Sequence, residues 1–138
     1  MATILCIDND PRILELRRAL FAGSGYTVLT ALDDLTAIAL TRTHSIDVIV
    51  LDFTMAGMDG NAVAQVLTKE QPDLPVVVCS GRLDAIPESL KWYADALLEK
   101  TDGHEALVAT VEKLINAGMI RRKAVKQGSP TLGKPLAA

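Results

Sequence analysis

Short apolar runs and longer mixed segments alternate along the chain. The apolar runs cover residues 3–7, 26–31, 47–51, 75–79 and 95–98. Each has the length of a strand, and all but the last are rich in β-branched residues or cysteine. The segments between them carry a helical period. Residues 11–22 put Ile13, Leu16, Ala19 and Leu20 on one stripe, with Asp10 placed to cap the helix and Pro11 suited to its first position. Residues 33–43 turn Leu35, Ile38 and Ala39 inward, and residues 61–70 turn Ala62, Val63, Val66 and Leu67 inward. Residues 102–117 give the clearest stripe, through Leu107, Val108, Val111, Leu114 and Ile115. The fourth crossover, 81–93, contains Pro87 and only a short helical pattern at 88–93, so one or two turns after an irregular loop are expected.

This order is β-α repeated five times. Such alternation predicts an α/β fold, a doubly wound five-stranded parallel sheet with helices on both faces and strand order 2-1-3-4-5. After Gly118 the period does not return, and Gly128, Pro130, Gly133 and Pro135 punctuate the last stretch of chain. The reading is one domain over 1–118 and a disordered tail over 119–138.

Composition agrees with that architecture. The chain has 138 residues, enough for one core, and aromatic residues are only 4% of it, so the core is aliphatic. Charge is unevenly spread: residues 1–118 hold 9 basic and 17 acidic side chains, whereas 119–138 hold 5 basic and none acidic. An acidic body argues against nucleic acid as a partner. The short basic tail reads as a solvated end. There is no apolar run of membrane-spanning length and no signal-peptide pattern, so no membrane partner is expected. Cys6 and Cys79 sit in strand-like runs and are expected to be buried free thiols, which suits a cytoplasmic location. With strand three between their strands, no disulfide should join them.

In a doubly wound sheet, ligands lie beyond the carboxyl ends of the strands. There the chain places Asp8, Asn9 and Asp10 after strand one, Asp52 after strand three, Ser80 and Gly81 after strand four, and Glu99 and Lys100 after strand five. Carboxylates, a hydroxyl and a lysine on one rim are the parts needed to handle a phosphoryl group and a divalent cation. Asp8, Asp52 and the amide oxygen of Asn9 offer hard oxygens to Mg²⁺. Asp52 can act as an oxygen nucleophile, Lys100 supplies a positive point charge, and Ser80 can donate a hydrogen bond. Each residue alone also has a plain structural use as a cap, a turn residue or a surface charge. Only the joint pattern is specific.

The segments ILCIDNDP, VIVLDFTMAGMDG, VVVCSG and ALLEK resemble the signature segments of bacterial response-regulator receiver domains, in the same order, over about residues 3–117. The resemblance implies a stand-alone (βα)5 sandwich of flavodoxin-like type with Asp52 as phosphoacceptor, Ser80 as switch hydroxyl and Lys100 as the motif lysine. It implies Mg²⁺ held by Asp8, Asn9, Asp52 and the backbone carbonyl of Thr54. It implies a phosphoryl donor, either a sensor histidine kinase or a histidine phosphotransfer protein, and output through an unspecified protein partner. The chemistry would be confined to the domain's own phosphorylation and dephosphorylation, so it is not an enzyme in the usual sense. Four positions depart from the family pattern. Asn9 replaces a second acid, Ala56 a proline, Thr101 a proline, and Leu97 the common aromatic switch residue. Asn9, Thr101 and Leu97 are the reason to hold a second expectation, a receiver-like binding module that works without phosphorylation. An aspartate-nucleophile phosphohydrolase fits poorly, because it leaves the Asp52 segment unexplained and lacks a later acidic pair.

Overall fold

Five parallel strands form one sheet in the computed structural model, which describes residues 2–53 and 60–126. The elements run β1 (Thr3–Ile7), α1 (Pro11–Gly23), β2 (Thr27–Ala31), α2 (Asp34–Thr43), β3 (Val48–Phe53), α3 (Gly60–Glu70), β4 (Val76–Ser80), α4 (Glu88–Tyr93), β5 (Ala96–Glu99) and α5 (His104–Lys126). The strand order is 2-1-3-4-5, as the β-α alternation predicts. The fourth crossover is a single 3-10 turn, Leu83–Ala85, followed by the six-residue α4.

Alternate residues of each strand face opposite sides of the sheet, which produces two cores. Leu5, Ile7, Ile49, Leu51, Val76 and Val78 belong to one, with Ala37 of α2, Val63 and Leu67 of α3 and Leu90 of α4. Ile4, Cys6, Val48, Val50, Val77 and Cys79 belong to the other, with Leu14 and Phe21 of α1 and Leu107, Val111 and Ile115 of α5. Both cysteines are free and buried.

The two ends of the sheet use their acids differently. At the amino end, Asp47 accepts the Thr3 N–H at 2.8 Å and Asp95 accepts the Val76 N–H at 2.7 Å. Those carboxylates satisfy strand-start donors that would otherwise go unpaired. The acids at the carboxyl end are Asp8 and Asp52.

Three sequence expectations are corrected. In α1 the buried stripe is Leu14, Arg17 and Phe21, whereas Leu16 is 59% exposed. The inner stripe accepts an arginine because an acid in the sheet, Asp52, pairs with it. In α2 the buried residues are Ala37 and Thr41, and Leu35 is 82% exposed. Thr41 can be buried because its hydroxyl donates to the Ile38 carbonyl at 2.7 Å. Finally, α5 begins at His104 rather than 102 and runs to Lys126, well past Gly118. One glycine inside a helix costs only about 1 kcal/mol relative to alanine, and the residues after it are good helix formers.

Candidate functional site

Asp8 and Asp52 meet at the carboxyl edge. Ile7 pairs with Leu51 across β1 and β3, so Asp8, one residue on, lies beside Asp52. Both are buried, Asp8 fully and Asp52 to 1% exposure. Asp8 continues the parity of Ile4 and Cys6, and Asp52 that of Val48 and Val50. Both carboxylates therefore face the α1/α5 side.

On that side, Arg17 of α1 reaches Asp52 with two hydrogen bonds. Its Nη2 donates to Oδ1 at 3.0 Å and its Nε to Oδ2 at 3.3 Å. The side chain of Arg17 is 10% exposed. Burial by itself pulls the Arg17 pKa down, but the hydrogen bonds and charge of Asp52 outweigh it and the net shift is upward. This is a buried, two-point arginine–carboxylate pair, and removing either partner alone costs about 3–5 kcal/mol. Lys100 adds a second cation, with Nζ 3.8 Å from Oδ1 of Asp52 and about one-third of its side chain exposed.

The lysine is positioned by a local device. Lys100 opens a 3-10 turn, Lys100–Asp102, and the Asp102 carboxylate accepts the Glu99 N–H at 2.8 Å. Gly103 comes next with φ +90° and ψ 167°, a region essentially restricted to glycine, and lets the chain turn into α5. No cis peptide bond occurs among the described residues.

Asp8 is half satisfied. Its Oδ1 accepts the Asp10 N–H at 2.8 Å, while Oδ2 is buried and accepts no hydrogen bond. Burial, with the charge of Asp52 adding to it, raises its pKa. A buried carboxylate oxygen without a partner, beside a second carboxylate, fits a hard cation. Asn9 is exposed on the same loop. Asp10 instead caps α1, accepting the Arg12 N–H at 2.9 Å. Thr54 lies outside the described residues. Among the described residues no three His, Cys, Asp or Glu side chains gather as a metal cluster. A cation here would need amide or carbonyl oxygens as well as the two carboxylates.

Ser80 has the opposite parity, that of Val76 and Val78, and so turns towards the α4 side. Its Oγ donates to the Arg82 carbonyl at 2.9 Å and accepts the Arg82 N–H at 3.2 Å. The start of the fourth crossover is thus tied to this hydroxyl. The structure brings Asp8, Asp52 and Lys100 together, with Ser80 at the neighbouring strand end. The residue that sequence reasoning misses is Arg17. Its signal is present: positions 14, 17 and 21 form a helical stripe between two large apolar residues, but a charge at its centre makes the 13–16–20 stripe look better.

This sheet with its acidic carboxyl edge defines a doubly wound, flavodoxin-like α/β domain, and the comparisons are specific. The chain belongs to the response regulator receiver domains of two-component systems: the family model described as response regulator receiver domain matches residues 4–112. Receiver domains are signalling domains rather than conventional enzymes. The chain is 33% identical over 134 residues to the response regulator MprA of Mycobacterium sp. (strain KMS), covering 94% of this chain and 56% of that protein. It is 28% identical over 125 residues to the probable transcriptional regulator ycf27 of Cyanidium caldarium, covering 89% of this chain and 50% of that one. The chain thus spans about half the length of these relatives. Among solved structures, the response regulator TrrA of Thermotoga maritima, in complex with Mg(2+)-BeF, superposes with TM-score 0.75 at 27% identity, covering 83% of this chain and 99% of that one. NtrX of Brucella abortus, in complex with ATP, gives TM-score 0.81 at 26% identity over 98% of this chain and 31% of that one. No described helix is long and apolar enough to cross a membrane.

Proposed function

We propose that this receiver domain is a phosphorylation-driven switch whose acceptor is Asp52. The observation that carries the reading is a buried carboxylate at the end of β3, flanked by Asp8 and by Lys100 at 3.8 Å. The donor is a sensor histidine kinase or a histidine phosphotransfer protein. An oxygen of Asp52 attacks the phosphorus, the N–P bond of phosphohistidine breaks, and the freed imidazole nitrogen keeps the electron pair and takes up a proton. Lys100 stands where it can neutralise a phosphoryl oxygen, and Ser80 donates to the same group after giving up the Arg82 carbonyl. Attack of water on the phosphorus later returns Asp52 and inorganic phosphate.

Mg²⁺ belongs to the same reading. Asp8, the Asn9 amide oxygen, Asp52 and the Thr54 carbonyl would hold it, and when bound it lowers the repulsion between carboxylates and the incoming phosphoryl group. The unpartnered Oδ2 of Asp8 supports this. The domain works in the cytoplasm, with neither membrane nor nucleic acid as its direct partner, and output passes through a protein contact. Residues 119–138 are read as a basic extension outside the receiver domain, entered by the last turns of α5.

A second reading, a receiver-like module that works without phosphorylation, is favoured by one observation: Arg17 occupies both oxygens of Asp52. Intact-mass measurement separates the two. With Mg²⁺ and a small phosphodonor such as acetyl phosphate, wild type gains one phosphoryl mass and Asp52→Ala gains none. Equal labelling of both proteins, or of neither, removes the acceptor reading.

A further inference from the structure

The Arg17–Asp52 pair has no place in the proposed phosphoryl chemistry, yet it ties up the group on which that chemistry depends. Asp52 has no exposed side-chain surface, and both of its oxygens lie in the fork of one guanidinium. Beside it, Oδ2 of Asp8 is buried and bonded to nothing. One carboxylate is thus saturated by an internal cation while its neighbour is left short of one. A divalent cation held by Asp8 and Asp52 would bring a second positive centre against the guanidinium, and in a buried site such repulsion is weakly screened.

The fold also provides a place for the arginine to go. A cavity of about 140 Å³ opens between α1, the end of β5 and the start of α5. Arg17 lines it, together with Leu16, Leu98, Glu99 and Lys100. A displaced guanidinium keeps its aliphatic stem on Leu16 and Leu98, which line the same cavity.

We propose that Arg17 competes with the divalent cation for Asp52, holding the carboxylate closed until the cation displaces the guanidinium into this cavity. The proposal rests on the reading of Asp8 and Asp52 as cation ligands, and makes Arg17 a positioning residue that sets the cation concentration at which the site opens. A purely structural ion pair would leave cation affinity unchanged. An arginine that helped to hold the cation's ligands in place would raise affinity, so its removal would weaken binding. The three roles differ in sign.

The test is a calorimetric Mg²⁺ titration of the full chain, at constant ionic strength, on wild type, Arg17→Met and Arg17→Lys. Competition predicts that Arg17→Met binds Mg²⁺ on the order of tenfold tighter than wild type, with Arg17→Lys between them. It also predicts that Mg²⁺ raises the melting temperature of Arg17→Met more than that of wild type. Should Arg17→Met fail to fold without the cation, wild type still decides the matter. Its Arg17 Nε–H resonance, bonded to Asp52 in the free protein, must shift and lose protection on saturation with Mg²⁺. Equal or weaker affinity in the variants, or an Arg17 resonance indifferent to Mg²⁺, overturns the proposal. Phosphoryl labelling of Asp52 is scored separately: tighter Mg²⁺ binding without labelling leaves Arg17's role standing and removes only the acceptor reading.

Discussion

Cys79 lies directly across from Asp52 in the β3–β4 ladder, so thiol and carboxylate share the face that α1 and α5 cover. Burial first, and the charge of Asp52 second, push the Cys79 thiol from 9.0 up to about 12. Cys6, buried in the same core, is pushed to about 12 by the same two causes. Both thiols are therefore inert neutral packing groups.

Alkylation at pH 8 should modify neither cysteine in the folded protein and both in denaturant, counted by intact mass. The pH dependence is set by the direction of the shift. Each folded-state pKa is raised above its unfolded value of 9.0, so the thiols' contribution to stability is complete below pH 9 and is lost as pH rises towards 12. Replacing both cysteines with alanine should flatten that alkaline loss in a denaturant titration. Rapid modification of either thiol in the native state would show that this core opens.

The proposed cation site carries an amide, Asn9, beside Asp8, where a carboxylate would add one formal charge. Asn9→Asp should tighten Mg²⁺ binding several-fold by adding an acidic oxygen to a hard-cation site. An unchanged Mg²⁺ titration would mean that the side chain of residue 9 does not touch the cation.

Gly103 joins the turn that carries Lys100 to α5, at φ +90° and ψ 167°. A Cβ there meets no neighbouring atom, so the penalty for Gly103→Ala is conformational rather than steric crowding. The variant should lose about 1–3 kcal/mol in a urea titration. It should also slow labelling of Asp52 by a small phosphodonor, because the turn that places Lys100 relaxes. Wild-type stability would mean that the junction adopts a different backbone path in solution.

Legibility of the fold and site from sequence depends on whether a residue's role is set locally. The strands are legible to within one or two residues, β3 running on through Asp52 to Phe53, because β-branched runs bounded by Gly, Pro and Asp carry their own punctuation. The strand-end positions of Asp8, Asp52, Ser80 and Lys100 come from topology. Helix faces are less legible. Leu16 and Leu35 look buried because they are apolar, and Arg17 looks exposed because it is charged. Only a partner 35 residues away in sequence makes Arg17 an inner residue, and no local pattern reports that pairing. The continuation of α5 past Gly118 is hidden because a single glycine looks like a helix end, although the helix formers after it outweigh its cost. The metal ligand expected from Thr54 lies outside the described residues and remains a proposal.

The fourth crossover should respond to the state of the site. Leu90 and Ile86 are buried anchors, but α4 has only six residues and Trp92 is 45% exposed. Ser80 bonds Arg82 in both directions, and Leu83 N–H reaches Glu99 at 3.3 Å, so the crossover starts from the site's own residues. Hydrogen exchange with Mg²⁺ and a beryllofluoride phosphoryl mimic should therefore gain most protection over residues 81–93. Leu97, packed against the α4-side core, should act as filler. Leu97→Ala should cost about 2 kcal/mol of stability and leave the gain in protection nearly intact. A segment already fully protected in the free protein, and unchanged by the mimic, would show that the crossover does not respond to the site.

Asp52 and Ser80 leave adjacent strands on opposite sides of the sheet, and the two cores they face are packed by different helices. On the proposed function, the Asp52 side receives the signal, through Arg17, Lys100 and the start of α5, and the Ser80 side reads it, through the Arg82 backbone, Ile86 and Leu90. The backbone layer between them lets these two sets of residues mutate as nearly independent groups, since distant sites without shared partners add their effects. On that proposed function, donor specificity and partner specificity are rewired one at a time in the same small domain, with the β4 terminus as the place where both must agree.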